Sequence, residues 1–468
     1  MSGPWQIPST WQWKTIGEVA EVIGGGTPKT DHVEYFGGEI PWITPADLSG
    51  YSKKFISHGQ RNITKAGLDH SGARLLPAGT VLFSSRAPIG YVAIAANPVS
   101  TNQGFKSFVL GEELKADYVY YYLQHAKKIA VELASGTTFL EISGKKAAQI
   151  PVPIPSIDEQ HRIVAEIEKQ FTRLEAGVAA LRRVQANLKR YRAAVLKAAC
   201  EGRLVPTEAD LARKEGRSYE TGEQLLARII IERRRKLQSL GKYKEPATPD
   251  TANLPPLMEG WTWATVEQLA AIEPNAITDG PFGSNLKTEH YTNFGPRVIR
   301  LQNIGEGFFT DEKAYISDAH FARLQKHRVF GNDIVIAGLG ENPPRACLIP
   351  PSLGPAIVKA DCIRFKPHED IAPKYMNISL NSDPVRKRMK TIVHGVGRPR
   401  LNLGEIKAIV LPLPPHTEQE RIVAEVERRL SVIEEQEAVV STSLEHAARL
   451  RQSILQRAFT GGLVYNGT

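Results

Sequence analysis

Apolar residues recur at steps of three and four along two stretches of the chain. In the first stretch they are Ile163, Ile167, Phe171, Leu174, Val178, Leu181, Val184, Leu188, Tyr191 and Val195; in the second, Ile422, Val426, Leu430, Ile433, Val440, Leu444, Ala447, Leu450 and Ile454. Such spacing keeps one stripe on one helix face, and over this length it predicts two coiled-coil seams. A proline-rich lead precedes each stretch (Pro151, Pro153, Pro155; Pro412, Pro414, Pro415). Proline disfavours helix before it and is tolerated in the first turn, so two long helices are predicted to start at equivalent places. At about 1.5 Å per residue, roughly 40 residues of helix reach about 60 Å. A stripe of that length needs a partner, and the other copy is the obvious one.

The two stretches are copies in the literal sense. Residues 150–205 align without a gap on 409–464, a displacement of 409 − 150 = 259, with 20 of 56 paired positions identical; unrelated sequences would share about three or four. The best match sets Glu159-Gln160-His161-Arg162-Ile163-Val164-Ala165-Glu166-Ile167-Glu168 on Glu418-Gln419-Glu420-Arg421-Ile422-Val423-Ala424-Glu425-Val426-Glu427.

Each helix follows a globular stretch, and the two stretches open alike, Trp11-Gln12-Trp13-Lys14-Thr15-Ile16 and Trp261-Thr262-Trp263-Ala264-Thr265-Val266. Both contain a strand-like apolar run, Thr80-Val81-Leu82-Phe83 and Ile334-Val335-Ile336-Ala337. Between these anchors the sequences diverge, so the halves share a framework while their loops differ. Short β-rich segments punctuated by Gly, Pro and Asn predict mixed α/β modules in which strands dominate. Further helices are predicted at 116–133, 375–390 and 222–240, the last ending in Arg233-Arg234-Arg235-Lys236. The layout is a module at 1–155, a helix at 156–205, a basic helix and Pro/Thr linker at 206–256, a module at 257–414 and a helix at 415–468. The 206–256 segment has no second copy.

Composition narrows the class. A length of 468 residues with 42% hydrophobic content supplies two or more cores, and a net charge of +9 suits a polyanionic partner. Three cysteines (Cys200, Cys347, Cys362) form no CxxC and no metal-ligand spacing, which points to a reducing cytoplasm. Without an 18-residue apolar run or a charged leader, neither membrane insertion nor secretion is expected.

No catalytic constellation emerges. Gly24-Gly25-Gly26 lacks dinucleotide-loop spacing, and no phosphate-binding GxxxxGK[ST] occurs. Asn342-Pro343-Pro344-Arg345 nearly matches an amino-methyltransferase signature, but arginine stands where the base-stacking aromatic belongs. Glu405-Ile406-Lys407 is a nuclease-like fragment without an upstream aspartate, the twelve histidines form no i,i+4 pair, and neither Ser84-Ser85 nor Ser143-Gly144-Lys145 has a partner motif. No metal is expected in this chain.

Binding is then the preferred class, and sequence readout of DNA needs cations for phosphate together with side chains that meet base edges. In the first module Lys29, Thr30, Ser85, Arg86, Thr101, Asn102, Gln103, Lys106, Thr137, Thr138, Lys145 and Lys146 lie in loop-like stretches. The second offers Ser284, Asn285, Lys287, Arg300, Gln302, Asn303, Asn342, Arg345, Lys359, Arg398, Arg400 and Asn402.

The architecture resembles the specificity subunit of type I restriction-modification systems. The resemblance is carried by the two divergent modules, the repeated Pro-x-Pro and Glu-Gln-x-Arg-Ile-Val-Ala-Glu segments, Trp42-Ile43-Thr44 with Asp47-Leu48, Asp279-Gly280-Pro281-Phe282-Gly283-Ser284, and the helix ends Gly202-Arg203-Leu204-Val205 and Gly461-Gly462-Leu463-Val464. It implies two α/β target recognition domains separated by long helices in an antiparallel coiled coil with pseudo-twofold symmetry. Each domain would read half of a bipartite, asymmetric DNA site, and helix length would set the gap.

The same resemblance implies docking of two methyltransferase subunits, which carry S-adenosylmethionine and methylate adenine, and of a motor-nuclease subunit. The chain itself would hold no cofactor and do no chemistry. The matched residues Glu159, Gln160, Arg162, Glu166, Glu168, Glu418, Gln419, Arg421, Glu425 and Glu427 are the docking candidates. Alternatives are a specificity subunit of a related restriction or methylation system, a stand-alone nuclease or methyltransferase, and a coiled-coil adapter.

Overall fold

In the computed structural model, which describes residues 3–136, 140–238, 243–340, 343–392 and 399–463, the long helices are Ile157–Cys200 and His416–Phe459. Each has 44 residues, and both ends keep the repeat's displacement, 416 − 157 = 259 and 459 − 200 = 259. Acidic residues stand in the first turns and Lys197 and Arg457 in the last, the order the helix dipole favours. Beyond each end a glycine adopts the left-handed conformation, Gly202 at φ 68° and Gly461 at φ 80°. Glycine does so without a Cβ clash, which closes the helix.

The chain forms two compact units, Met1–Arg183 with Val440–Thr468, and Val184–Val439. In the first unit the core gathers Ile163, Ile167 and Phe171 from the beginning of the first long helix and Ile454, Leu455, Ala458 and Phe459 from the end of the second. Arg451 lies 3.9 Å from the Phe171 ring centroid and pairs with Glu175 at 3.2 Å. The two segments therefore run antiparallel. A five-stranded sheet in the order Ala20–Gly24, Lys106–Leu110, Val81–Phe83, Val92–Ala95, Phe55–Ile56 and a three-stranded sheet of Arg61–Ile63, Phe36–Ile43 and Ser100–Thr101 complete the module.

A two-stranded ribbon, Gln12–Thr15 against Pro151–Ile154, joins this module to the helix. Pro151 and Pro153 oppose Thr15 and Trp13. Lacking N–H groups, the prolines occupy positions whose backbone faces away from the partner strand. Their carbonyls accept the hydroxyls of Tyr122 and, at 2.9 Å, Tyr118.

The second unit repeats the plan. The end of the first long helix (Val195, Ala199) shares a core with the beginning of the second (Ile422, Val426). Arg192 pairs with Glu434 at 3.5 Å and Glu437 at 3.3 Å. The ribbon is Thr262–Thr265 against Val410–Leu413, with Tyr375 donating to the Pro412 carbonyl at 3.1 Å. The sheets are Ile277–Thr278, Cys362–Phe365, Ile334–Ala337, Arg345–Leu348 and Tyr315–Ile316, Tyr291–Ile299, Ala356–Val358, Arg328–Val329. Both modules contain an equivalent parallel pairing, Ile43 with Thr101 in the first and Ile299 with Val358 in the second, and the first adds another, Phe55–Ile56 beside Val92–Ala95.

The unduplicated segment belongs to the second unit. Helix Glu208–Glu215 is capped by Thr207 and closed by Gly216 at φ 64°. The basic helix spans Gly222–Gln238 and inserts Leu225 and Ile229 into the core. Its Arg233 is buried and donates to the carbonyls of Glu267 at 2.8 Å, Gln268 at 3.2 Å and Ala270. That part of the basic run is thus a fixture of the module rather than a solvated helix end.

Two expectations need correction. The helix expected at 116–133 is broken at Ala126, where ψ is 5°, into Ala116–His125 and Lys127–Glu132. The one at 375–390 stops at Leu380 and restarts at Asp383, with Pro384 in its first turn. The seams are also less uniformly covered than a stripe implies: Val184, Tyr191 and Leu450 remain exposed. Tyr191 uses its amphipathic ring, its hydroxyl accepting from Arg429 at 3.4 Å.

Candidate nucleic-acid interface

The candidate reading loops hang on one backbone scaffold used twice. Asn102 N–H donates to the Ile43 carbonyl at 2.9 Å, and Lys359 N–H to that of Ile299 at 2.8 Å. Ile142 N–H reaches the Ser85 carbonyl at 3.0 Å, as Leu401 N–H reaches Gly338 at 2.7 Å. Ser143 caps helix Gly144–Ala148, and Asn402, 259 residues later, caps Leu403–Lys407. Gly25 packs on the Asn102 carbonyl and Gly280 on Lys359, so closely that a Cβ at either would collide with backbone. Gly26 meets the Gly72–Ala73 backbone as closely while Gly24 faces open space, so close approach explains the last two glycines of the Gly24-Gly25-Gly26 run.

In the first unit these contacts bring Arg86, Gln103, Lys106 and Glu141 together. Arg86 and Lys106 each lie 3.6 Å from the Glu141 carboxylate, and Lys106 Nζ is 3.5 Å from the Gln103 carbonyl. Lys145 and Lys146 stand exposed on the short helix beside them, and Lys29 and Thr30 are exposed farther along the chain. Ser85 and Thr101 are corrections: both are buried, Thr101 in the parallel strand pair and Ser85 in the scaffold bonds. Asn102 is committed to its own turn, its Oδ1 accepting the Gly104 N–H at 2.9 Å. Thr137 and Thr138 lie outside the described residues.

In the second unit Ser284, Asn285, Lys287, Gln302 and Arg400 are exposed, and Arg300, Arg345 and Lys359 half-buried. Arg400 pairs with Asp361 at 2.8 Å and lies 5.7 Å from the Phe282 ring, while Lys359 lies 5.7 Å from that of Tyr291. Asn303 is a correction, fully buried and donating to the Thr310 and Glu312 carbonyls at 2.8 Å each. Asn402 spends its side chain on capping: Oδ1 accepts Glu405 N–H at 3.0 Å and Glu405 returns the bond at 2.7 Å. With Lys407 paired to Glu267 at 3.0 Å, the nuclease-like fragment is a helix cap with a salt bridge. Asn342 and Arg398 lie outside the described residues.

The docking candidates separate sharply. Gln160 and Gln419 are fully buried, which corrects their assignment to a surface. Gln160 accepts the Lys115 N–H at 2.9 Å and donates to the Glu113 and Pro155 carbonyls at 2.8 and 3.1 Å. Gln419 accepts the Ala372 N–H at 2.9 Å and donates to the Pro414 carbonyl at 3.0 Å. Each glutamine clamps its long helix to the first turn of a module helix. Gln160→Ala is expected to lower stability by about 1–3 kcal/mol by stranding the Lys115 N–H, and a change within error in urea unfolding would refute the clamp.

Glu418 is likewise buried and corrected, holding Trp261 Nε1 and the Glu208 N–H. Glu168 binds Lys54 at 2.6 Å, Glu427 binds Lys374 at 2.6 Å, Glu166 binds Lys169 at 3.0 Å, and Arg421 binds Glu208 at 2.6 Å. Arg428 and Arg429 hold the Glu425 carboxyl down at about 2. Of the ten docking candidates, Glu159 and Arg162 have side chains without a polar partner among the described residues.

The family model for the type I restriction modification DNA specificity domain matches residues 8–180 and 291–437, more than half of the chain. The chain belongs to this family.

Within the specificity-domain family, the MjaIX specificity subunit of Methanocaldococcus jannaschii is 43% identical over 160 residues, 34% of this chain and 37% of that protein. The chain thus spans little more than a third of that relative's length. The EcoDI specificity subunit of Escherichia coli is 24% identical over 458 residues, 96% of this chain and 88% of its own. A solved chain, described in work on assembly and conformational transition of the type I R-M system, superposes with a TM-score of 0.65 at 15% identity. It covers 98% of this chain and 100% of its own, which shows a shared fold.

Several features of this specificity-domain chain escaped a reading by residue type. Phe282, Phe294 and Phe308 project exposed rings from the second module; the signal was an aromatic in a glycine-bounded loop. Glu141 was missed because a carboxylate is not expected among residues picked out for their positive charge and hydrogen-bonding side chains. Cys200 and Cys347 are buried, which pushes their thiols up to about 11 and about 12, in keeping with apolar fillers. No described helix is long and apolar enough to cross a membrane.

Proposed function

We propose that the chain is the DNA sequence-recognition subunit of a type I restriction-modification complex working in the cytoplasm. The loops of the first unit read one half of a bipartite site and those of the second read the other. Methyltransferase subunits carrying S-adenosylmethionine dock on the helical region and methylate adenine, and a motor-nuclease subunit joins for cleavage. The chain supplies address and leaves chemistry to its partners.

The observation that carries this reading is one backbone scaffold with different side chains. Asn102 stands where the second module has Lys359, and Lys145 and Lys146 where it has Gly404 and Glu405. Two surfaces of equal geometry and unequal chemistry suit two different base sequences. Family membership and the positive charge agree with it.

The test is to exchange residues 1–155 for the corresponding module of a relative, express the chain with its methyltransferase, and map methylated adenines. One half-site is expected to change while the other stays. A change in both halves, or in neither, would contradict modular readout.

A further inference from the structure

The unduplicated basic helix meets the second module through more than apolar side chains and Arg233. Glu232 stands on that helix, and His368 and Glu369 follow strand Cys362–Phe365 of the module. Each of the three brings one ligand atom, and these atoms lie within 4.8 Å of one another. Glu232 precedes His368 by 368 − 232 = 136 residues, so no spacing along the chain announces the set.

The imidazole is held rigidly. Its side chain is 3% exposed, its N–H donates to the Leu269 carbonyl at 2.8 Å, and its carbonyl accepts the Ile371 N–H at 2.9 Å. Nε2 faces Glu232 Oε2 across 3.6 Å, too far for a sound hydrogen bond. The other oxygen of Glu232, Oε1, is occupied by Lys236 at 2.5 Å, which leaves Oε2 to the ring. Behind the ring, Nδ1 lies 3.3 Å from the Asp370 backbone nitrogen and 3.6 Å from Asp370 Oδ2, an oxygen that Arg228 holds at 2.5 Å. Burial, foremost, pushes the imidazole below its ordinary pKa against the pull of Asp370 and Glu232, so the ring is uncharged at neutral pH.

An uncharged, buried imidazole beside a carboxylate it does not reach makes a poor ion pair and a good donor set. Imidazole nitrogen and carboxylate oxygen are ligands of zinc, and bonds of about 2.0–2.1 Å at tetrahedral angles put neighbouring ligand atoms about 3.3 Å apart. The separation of Nε2 from Oε2 is already close to that. With its proton on Nδ1, facing Asp370, the ring turns the Nε2 lone pair toward Glu232, and a carboxylate behind the ring is the partner that orients metal-bound histidines. Two glutamates match a divalent charge. We propose that Glu232, His368 and Glu369 bind a divalent cation of the zinc class, which fastens the basic helix to the second module. Glu369 is exposed and closes the set from the solvent side, with water in the fourth position. The site is independent of the recognition role.

The test is to strip the full chain with a chelator, titrate it with zinc alone by calorimetry, and follow its unfolding with and without the metal. One zinc per chain is expected to bind at micromolar concentration and to raise the unfolding midpoint by mass action. Magnesium, which prefers six oxygen ligands and sheds water reluctantly, is expected to leave the midpoint unmoved at the same concentration. Glu369→Gln, at an exposed position that folding does not depend on, and Glu232→Gln are each expected to weaken zinc at least about tenfold and to remove its stabilisation. Glu223→Gln, exposed on the same helix, leaves both unchanged. Absence of saturable binding, or zinc that binds and stabilises Glu232→Gln and Glu369→Gln as well as it does the unaltered chain, overturns the proposal.

Discussion

Replacing Phe459 with alanine is expected to destabilise the first unit by about 3–5 kcal/mol. The ring is fully buried, meets Tyr118 and Tyr122 edge-on at centroid distances of 5.3 and 5.2 Å, and stacks on His125 at 5.7 Å. Aromatic contacts of this geometry add to the area buried. The neighbours are themselves fixed, since both tyrosine hydroxyls are held by proline carbonyls, so they cannot collapse into the space a truncation leaves. Calorimetric or denaturant unfolding of the full chain measures the effect. A loss below about 1 kcal/mol, the size of an ordinary substitution, would show that the site repacks and that this account of the helix end is mistaken.

Asp333→Ala is expected to cost the second unit about 3 kcal/mol, because the Arg364 Nε–H and the Phe330 N–H lose their acceptor and the buried guanidinium keeps only Glu273 as a counter-charge. Arg364 Nε lies 2.6 Å from the Asp333 carboxylate, and the two side chains are 4% and 3% exposed. The guanidinium also donates to Glu273 at 3.0 Å and to the Asn275 carbonyl at 3.2 Å, with its carbon 5.0 Å from the Phe330 ring centroid. Burial raises the Asp333 pKa while Arg364 opposes the rise, as desolvation of a paired charge requires. Replacing both partners with Asp333→Leu and Arg364→Met is expected to cost much less than the sum of the singles. Additive losses in that double-mutant cycle would show that the pair is not coupled.

The helices were legible because a duplicated seam fixes register twice over: the 259-residue displacement found in the sequence marks both ends of both helices. Their antiparallel packing was not legible in the stripe, which has no direction, and was expected only from the family resemblance. The reading loops were legible in part. Residue type alone cannot separate an exposed serine from one in a scaffold bond, and so Ser85, Thr101 and Asn303 proved buried while Arg400 is exposed and Arg86 and Lys106 are half-buried.

Gln160 and Gln419 carry a related lesson. Their identity across the copies reflects a shared internal clamp, and identity within one chain does not distinguish that constraint from a surface one. The breaks at Ala126 and before Asp383 are set by local backbone and a proline, below the reach of a periodicity argument.

The ribbon that joins each module to its helix has a further consequence. A two-stranded ribbon normally leaves an outer rim of amides and carbonyls on which a foreign strand can nucleate. Here the prolines leave that rim poor in donors, and Tyr118, Tyr122 and Tyr375 occupy its acceptors, with Arg388 taking the Val410 carbonyl at 2.8 Å. An intruding chain would find little to zip onto along the proline-bearing strand. The prolines that punctuate the helix starts thereby also guard a long, multi-part protein against self-association through its narrowest sheets.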